Sequence, residues 1–195
     1  MRYCNPQFIR MMHLLLFALF LTGMAIPLYA QQVVMKTNGL GWLATTPNLG
    51  VEIALAPQFT LDVSGSYNAW NYGNNARLRH CLLQPELRYW FCGNFQKHFV
   101  GAHLHAADYN IGNISLFPGL KNYSYRGQLY GAGVSYGYHF PLSPRWALEA
   151  TIGVGYAYMK YKKYTCHQCA ELKARVTRHY IGPTKAAVNL IYVIH

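Results

Sequence analysis

Apolar and polar residues alternate with a period of two through much of the chain. From residue 146 to 158 one set of alternate positions reads Trp, Leu, Ala, Ile, Val, Tyr, Tyr, and the other reads Ala, Glu, Thr, Gly, Gly, Ala. Such alternation predicts a β-strand with one wholly apolar face. That face has aromatic residues at both ends and aliphatic residues between them, which is typical of a strand that crosses a bilayer. Thirteen extended residues reach about 40 Å, or about 30 Å across a membrane at the usual tilt.

The same alternation predicts eight strands after residue 31. The connections after the second, fourth and sixth strands are short, and those after the third, fifth and seventh are long, as in outer-membrane proteins. An even number of strands allows the sheet to close without a free edge. We therefore predict an all-β fold, an eight-stranded antiparallel transmembrane β-barrel with up-and-down meander topology, from strands at about 34–44, 48–56, 59–68, 82–91, 99–106, 130–140, 146–158 and 180–195.

Residues 1–30 have the pattern of a secretory signal peptide. Arg2 and Arg10 precede an apolar core at 14–25, and Ala30 supplies the small residue at the expected cleavage site. The alternative, a membrane anchor, is disfavoured because the apolar core is short for a span. We predict an exported chain located in the cell outer membrane, with residues 31–195 forming the barrel domain.

Charged residues on the polar faces favour the membrane barrel over two alternative folds. A lipocalin-like soluble barrel has the same number of strands but surrounds its ligand with apolar side chains. A β-sandwich would also alternate, but it gives no reason for aromatic residues at both ends of its strands. Several ionic residues share the faces opposite the apolar ones, which argues against an apolar pocket.

The ionic and histidine side chains on these faces form the first candidate site. An eight-stranded barrel is barely wide enough for its own side chains, so charges inside it must pair. We predict a filled polar interior whose network fixes the register of the strands. An acid–base site is the alternative, and Ser135 with His103 or His105 would be a candidate hydrolase pair. The predicted network consists of Lys36, Glu52, Asp62, Glu86, Arg88, His103, His105, Glu149 and Lys185.

The second candidate site is a basic segment between the seventh and eighth predicted strands. The formal net charge of the chain is +11. For an exported chain, this excess favours phosphate-bearing lipids or acidic glycans over nucleic acid. We expect the segment to be an external loop that contacts lipopolysaccharide and anchors the protein to the outer leaflet. Its principal residues are Lys162, Lys163, Lys173, Arg175 and Arg178.

Four cysteines remain after the predicted signal peptide. Cys166 and Cys169 form a CxxC motif in the same segment. Three states stay open for this pair: a loop-shaping disulfide, half of a zinc site to which His179 would add a ligand, and free thiols. Cys81 and Cys92 flank the fourth predicted strand, which separates them too far for a simple disulfide.

Several segments resemble one known family. They are Lys36-Thr37-Asn38, residues 45–52 (TTPNLGVE), residues 84–90 (QPELRYW), residues 149–156 (EATIGVGY), the CHQC of residues 166–169 and residues 182–187 (GPTKAA). Together they resemble domain-of-unknown-function family 3575, predicted outer-membrane barrels common in Bacteroidetes-type Gram-negative bacteria. The resemblance implies the barrel fold and the outer-membrane location, and it carries no established activity.

The sequence thus favours a structural or interaction protein of the cell envelope. Its expected partners are outer-membrane lipid and lipopolysaccharide, and a glycan or another surface protein is also open. We expect no enzymatic activity, cofactor, metal or nucleic-acid partner. The alternatives are a lipid-modifying barrel enzyme, either hydrolase or acyltransferase, and a soluble periplasmic ligand-binding barrel.

Overall fold

The structure is a computed structural model that describes residue 10 and residues 32–71, 77–112, 123–165 and 172–194. The predicted signal peptide, apart from Arg10, lies outside these residues, and so do Cys166 and Cys169. The described residues form one five-residue helix, α1 (Gly39–Leu43), and eight strands: β1 (Val33–Asn38), β2 (Asn48–Ala56), β3 (Phe59–Asn71), β4 (Arg77–Trp90), β5 (Lys97–Gly112), β6 (Tyr123–Pro141), β7 (Trp146–Thr165) and β8 (Leu172–Val193).

The strands form a closed antiparallel barrel. Each strand pairs with the next one along the chain, and β1 pairs with β8, where Val34 lies opposite Val193 and Asn38 lies opposite Asn189. This confirms the predicted all-β, up-and-down topology. β1 pairs with residues 189–193 of β8, so the ring of strands closes at the turn end, while the loop-end part of β8 pairs with β7 alone among the described strands.

The two ends of the barrel differ. At the turn end, residues 57–58, 91–96 and 142–145 connect successive strands. At the opposite end, here called the loop end, the strands run further than the alternation predicted, and β6, β7 and β8 contain 19, 20 and 22 residues. The predicted long loops at 69–79, 110–125 and 160–178 were therefore too long, because their first and last residues continue the hydrogen-bonded ladders.

The first predicted strand was wrong in its second half. β1 ends at Asn38, whose side chain accepts a hydrogen bond of 3.0 Å from the Leu40 backbone N–H and caps α1. The Trp42 indole N–H donates to the Thr37 hydroxyl over 2.7 Å and holds the short helix against the end of β1. A local side-chain cap thus ends the strand where the sequence pattern predicted that it continues.

The outer wall carries a belt of exposed apolar side chains between two aromatic groups. Phe59, Tyr89, Phe91, Tyr138, Phe140 and Trp146 lie near the turn end, and Tyr67, Tyr130, Tyr156 and Tyr158 lie nearer the loop end. Between these groups the wall exposes Leu87, Val100, Leu104, Val134, Ile152, Val154 and other aliphatic side chains. In the described residues no helix is both long and apolar enough to span a membrane.

The interior of the barrel is layered. At the turn end, an apolar cluster fills the lumen with Val34, Trp90, Phe95, Phe99, Ala147 and Ile191. The Trp90 ring lies 4.7 Å from the Phe99 ring and 5.5 Å from the Phe95 ring, centroid to centroid. This cluster closes the turn end and forms the base on which the charged residues of the next layer rest.

Candidate functional site

Arg88 is the centre of the buried charged layer. Its guanidinium is fully buried and contacts four carboxylates, those of Glu52, Asp62, Glu86 and Glu149, at N···O distances of 2.9 to 3.2 Å. Two guanidinium nitrogens bind the two oxygens of Glu149, so this pair is bidentate. The acids come from β2, β3, β4 and β7, and one side chain therefore ties together strands from around the barrel.

Two lysines complete the charged layer. Lys36 on β1 binds Glu149 at 2.8 Å and also forms an ion pair with Glu52. Lys185 on β8 forms an ion pair with Glu86, and its ammonium lies 3.8 Å from Asp62. Seven of the nine residues predicted for the interior network thus form one continuous set of ion pairs: Lys36, Glu52, Asp62, Glu86, Arg88, Glu149 and Lys185.

The two predicted histidines lie at the loop side of this layer. His103 shares a hydrogen bond of 2.9 Å with the Thr184 hydroxyl through Nε2. The His105 ring packs against His103, with 5.7 Å between ring centroids, and lines a cavity beyond the ion pairs. The histidines therefore border the network rather than belong to its ion pairs.

Neutral polar groups donate hydrogen bonds to Glu52 and Glu149, and they were not among the residues predicted for the network. Thr60 donates to Glu52, while Thr151 and Asn189 donate to Glu149 Oε1 over 3.0 and 2.9 Å. All three donors share the inward-facing alternate positions with the charged residues, and that position was the signal that could have identified them.

Ser135 also belongs to this network. Its hydroxyl donates to Glu86 Oε1 over 2.6 Å. A serine has a single hydroxyl proton, so in this geometry the proton is not directed at His103 or His105. The arrangement does not assemble the hydrolase pair that the sequence left open.

Glycine at two positions makes room for the buried side chains. A Cβ on Gly101 would overlap the Glu86 carboxylate, and a Cβ on Gly137 would overlap the Phe99 ring. Phe99 in turn lies beneath the Arg88 guanidinium, with the guanidinium carbon 4.3 Å from the ring centroid. The cation–π contact covers one face of the guanidinium.

The network holds four carboxylates against three permanent cations. Every carboxylate contacts at least one cation, and together the groups fill the lumen above the apolar cluster. A buried charge is stable only when it is paired and its other hydrogen-bonding positions are used. This arrangement can lock the relative positions of the strands and block passage along the barrel axis.

The loop-side half of the interior is not filled. A cavity of about 660 Å³ lies among inward-facing residues of β4–β8, and an adjoining one of about 360 Å³ lies among α1 and residues of β1–β4 and β8. The two share His80, Leu82 and Thr184. The prediction of a filled interior therefore holds only for the turn-side half. In the loop-side half the side chains do not reach across the lumen.

The basic residues predicted to form an external loop lie on strands instead. Lys162 and Lys163 belong to β7, and Lys173, Arg175 and Arg178 belong to β8. Strand alternation then separates them: Lys162 and Arg175 face outward, whereas Arg178 lines the larger cavity and the Lys163 ammonium lies 5.7 Å from the centroid of the Tyr125 ring. The side chain of Lys173 is outside the described part of the structure.

The outward-facing cations form rows on the wall. Arg126 on β6 lies directly opposite Lys162, which lies directly opposite Arg175. Two residues nearer the turn end, Lys160 lies between Gln128 and Thr177. We call Arg126, Lys160, Lys162 and Arg175 the basic wall. Arg126 was not among the residues predicted from the sequence, although its spacing of two and four residues from Gln128 and Tyr130 already placed all three on one face.

The basic wall adjoins aromatic residues. The next outward row contains Tyr130, Tyr158 and His179. A groove on the wall also includes Asp108, which is the one carboxylate among its described lining residues. The wall therefore presents a strong excess of positive charge immediately beside the loop-end aromatic group.

Cysteine and metal chemistry gain little support from the described residues. Cys81 is buried near the loop end of β4, and Cys92 is exposed just after its turn end. Eleven extended positions separate them by roughly 30 Å or more, too far for a disulfide. In the described ranges no group of three or more His, Cys, Asp or Glu side chains is placed to hold a metal ion.

The fold and the buried network define a class of protein: a small, closed, eight-stranded meander barrel with an ion-paired lumen. Residues 14–194 match the family described as protein of unknown function (DUF3575), so the chain belongs to that family. This match confirms the family resemblance seen in the sequence. A comparison with curated proteins found no match.

Proposed function

We propose that this protein is a small outer-membrane β-barrel of structural or interaction type, whose basic wall binds the phosphate groups of lipopolysaccharide. The observation that carries the proposal is the position of the basic wall. Four cations face outward immediately beyond the loop-end aromatic group that bounds the apolar belt. In a membrane barrel this is the level of the lipid headgroups.

Charge repulsion supports an anionic partner. Like charges directly opposite each other on neighbouring strands are destabilising, yet Arg126, Lys162 and Arg175 occupy such positions in one row. Phosphate groups would neutralise the row, and guanidinium and ammonium groups form strong charge-assisted hydrogen bonds with phosphate. We infer that the row is adapted to bound phosphate rather than to water alone.

The two alternatives have less support. A soluble ligand-binding barrel would expose the apolar belt to water. A contiguous apolar surface that surrounds the molecule is unusual on soluble monomers. A lipid-modifying enzyme would require a nucleophile that is accessible to lipid, whereas Ser135 is buried and donates its proton to Glu86.

Binding to lipopolysaccharide vesicles tests the proposal. Lys162→Gln with Arg175→Gln removes two of the four wall cations, and Lys97→Gln with Arg145→Gln removes the same two residue types at the turn end. Exposed charge pairs contribute about 0.2–1 kcal/mol each, and hydrogen bonds to charged groups about 1.5–3 kcal/mol. We expect the first variant to bind on the order of tenfold more weakly and the control to bind like the unaltered protein.

Fractionation separates failure of the membrane location from failure of the lipid contact. The unaltered protein should be found in the outer-membrane fraction and should migrate differently on a gel before and after boiling. A soluble periplasmic protein without such a shift would contradict the membrane location. An outer-membrane protein whose two double variants bind lipopolysaccharide equally would contradict only the role of the basic wall.

A further inference from the structure

The larger interior cavity has the dimensions of a ligand site. Its volume of about 660 Å³ falls within the range of roughly 300–1,000 Å³ that is common for small-molecule pockets. Inward-facing tyrosines contribute flat ring surfaces to it, namely Tyr109, Tyr125, Tyr161 and Tyr180. Leu129 and Met159 add aliphatic surface. These walls suit a ligand with a flat, apolar body.

The cavity is a dead end rather than a channel. The smaller cavity next to it is bordered by Lys36, Asp62 and Lys185 of the ion network. Beyond the network, the apolar cluster around Trp90 closes the turn end. A molecule in the larger cavity would therefore be held and released rather than conducted through the barrel.

The charge of the cavity is unbalanced. Arg178 is the single permanently charged residue among its described lining residues, and these residues include no carboxylate. Unlike the buried cations of the ion network, the Arg178 side chain is exposed to solvent at the cavity, and no ion pair joins it to a carboxylate of the described residues. A guanidinium pairs well with a planar carboxylate, which it can bind through two parallel hydrogen bonds.

A buried polar atom gives a second indication of a ligand. His105 lines the cavity and is only 6% exposed, and its Nδ1 has no hydrogen-bond partner among the described residues. Buried polar atoms in native proteins are nearly always paired. A polar group on a bound molecule would supply the missing partner, in addition to the group that pairs with Arg178.

We propose that this cavity binds a small monocarboxylate with a flat, apolar body, whose carboxylate pairs with Arg178 and whose body packs among the tyrosines. One permanent cation in the lining corresponds to one negative charge on the ligand. The site is independent of lipopolysaccharide binding, since Arg178 faces the lumen while Arg175, three residues away, faces outward.

Calorimetric titration of the full chain in lipid nanodiscs tests this site, with empty nanodiscs as the blank. The probes are naphthalene-2-carboxylate and its uncharged analogue naphthalene-2-carboxamide. We expect the unaltered protein to bind the carboxylate at least tenfold more tightly than the amide. Arg178→Gln should abolish that preference while leaving amide binding unchanged, and Arg175→Gln is the matched control that should retain the preference.

A cavity-filling variant checks the location. Ala107 lines the cavity, and Ala107→Phe should weaken the binding of both probes, with the heat-dependent gel shift showing that the barrel still folds. The proposal is overturned if the unaltered protein binds neither probe, if it binds both equally, or if Arg175→Gln and Arg178→Gln reduce carboxylate binding alike.

Discussion

Replacing Arg88 tests whether the buried network holds the barrel together. Arg88→Met preserves much of the apolar stem but removes five N···O contacts of 2.9 to 3.2 Å. The four carboxylates would then face only the two lysines, Lys36 and Lys185. The substitution therefore leaves four buried carboxylates with only two cations.

The expected loss of stability is large. Removing one partner of a buried ion pair costs about 3–5 kcal/mol, against a total stability of about 5–15 kcal/mol for a typical domain. We expect urea unfolding in detergent micelles, followed by tryptophan fluorescence, to show a loss in this range for Arg88→Met. Arg88→Lys should give an intermediate loss, because one ammonium keeps the charge but cannot reproduce the bidentate contact with Glu149.

A matched control and a compensating variant make the experiment decisive. Arg126→Met is the same substitution on the outer wall, where surface changes usually stay within about 0.5 kcal/mol. Arg88→Met combined with Glu149→Gln removes one of the uncompensated carboxylates and should be more stable than Arg88→Met alone. Equal stability of Arg88→Met and Arg126→Met would show that the network does not stabilise the fold, and the reasoning would be wrong.

Two further substitutions test the packing around the network by the same unfolding assay. Gly101→Ala should destabilise the barrel by about 1–3 kcal/mol, because its Cβ would overlap the Glu86 carboxylate, whereas Gly65→Ala, whose Cβ would meet its nearest neighbour at 3.7 Å, should change little. Trp90→Ala should cost about 3–5 kcal/mol by opening a cavity in the turn-end cluster, and Trp70→Ala, at a side chain that is 54% exposed, should cost clearly less. Equal effects within either pair would contradict the packing described for it.

Period-two alternation was sufficient to predict the fold and to select the charged residues of the network. On a strand the inward set is fixed once one face is known, and ions are rare enough in this chain to stand out on that face. The alternation could not show which cation contacts which acid, because that depends on register and tilt. That Arg88 reaches four carboxylates therefore became visible only in the structure.

The ends of the strands were harder to predict. Residues 160–165 read Lys-Tyr-Lys-Lys-Tyr-Thr, a composition that indicated a loop because charged residues are depleted in strands. In a barrel the hydrogen-bonded ladders continue past the apolar belt, where outward side chains no longer need to be apolar. The apolar alternation thus marks the width of the belt rather than the length of the strands.

One β-bulge in β8 determines which basic residues of that strand face the basic wall and which line the larger cavity. Gly153 lies opposite Lys185 but Val154 lies opposite Pro183, so Thr184 is the extra residue. Proline has no backbone N–H to donate to the ladder, which favours an irregularity here.

The bulge changes which alternate positions face inward. On its turn-end side Lys185 and Asn189 point into the network; on its loop-end side Arg178 and Tyr180 line the cavity. Strict alternation from Lys185 would have turned Arg178 outward, toward the basic wall, and Arg175 inward. The register shift at Thr184, which no alternation pattern reveals, therefore assigns Arg175 to the outer wall and Arg178 to the lumen side, at the cavity.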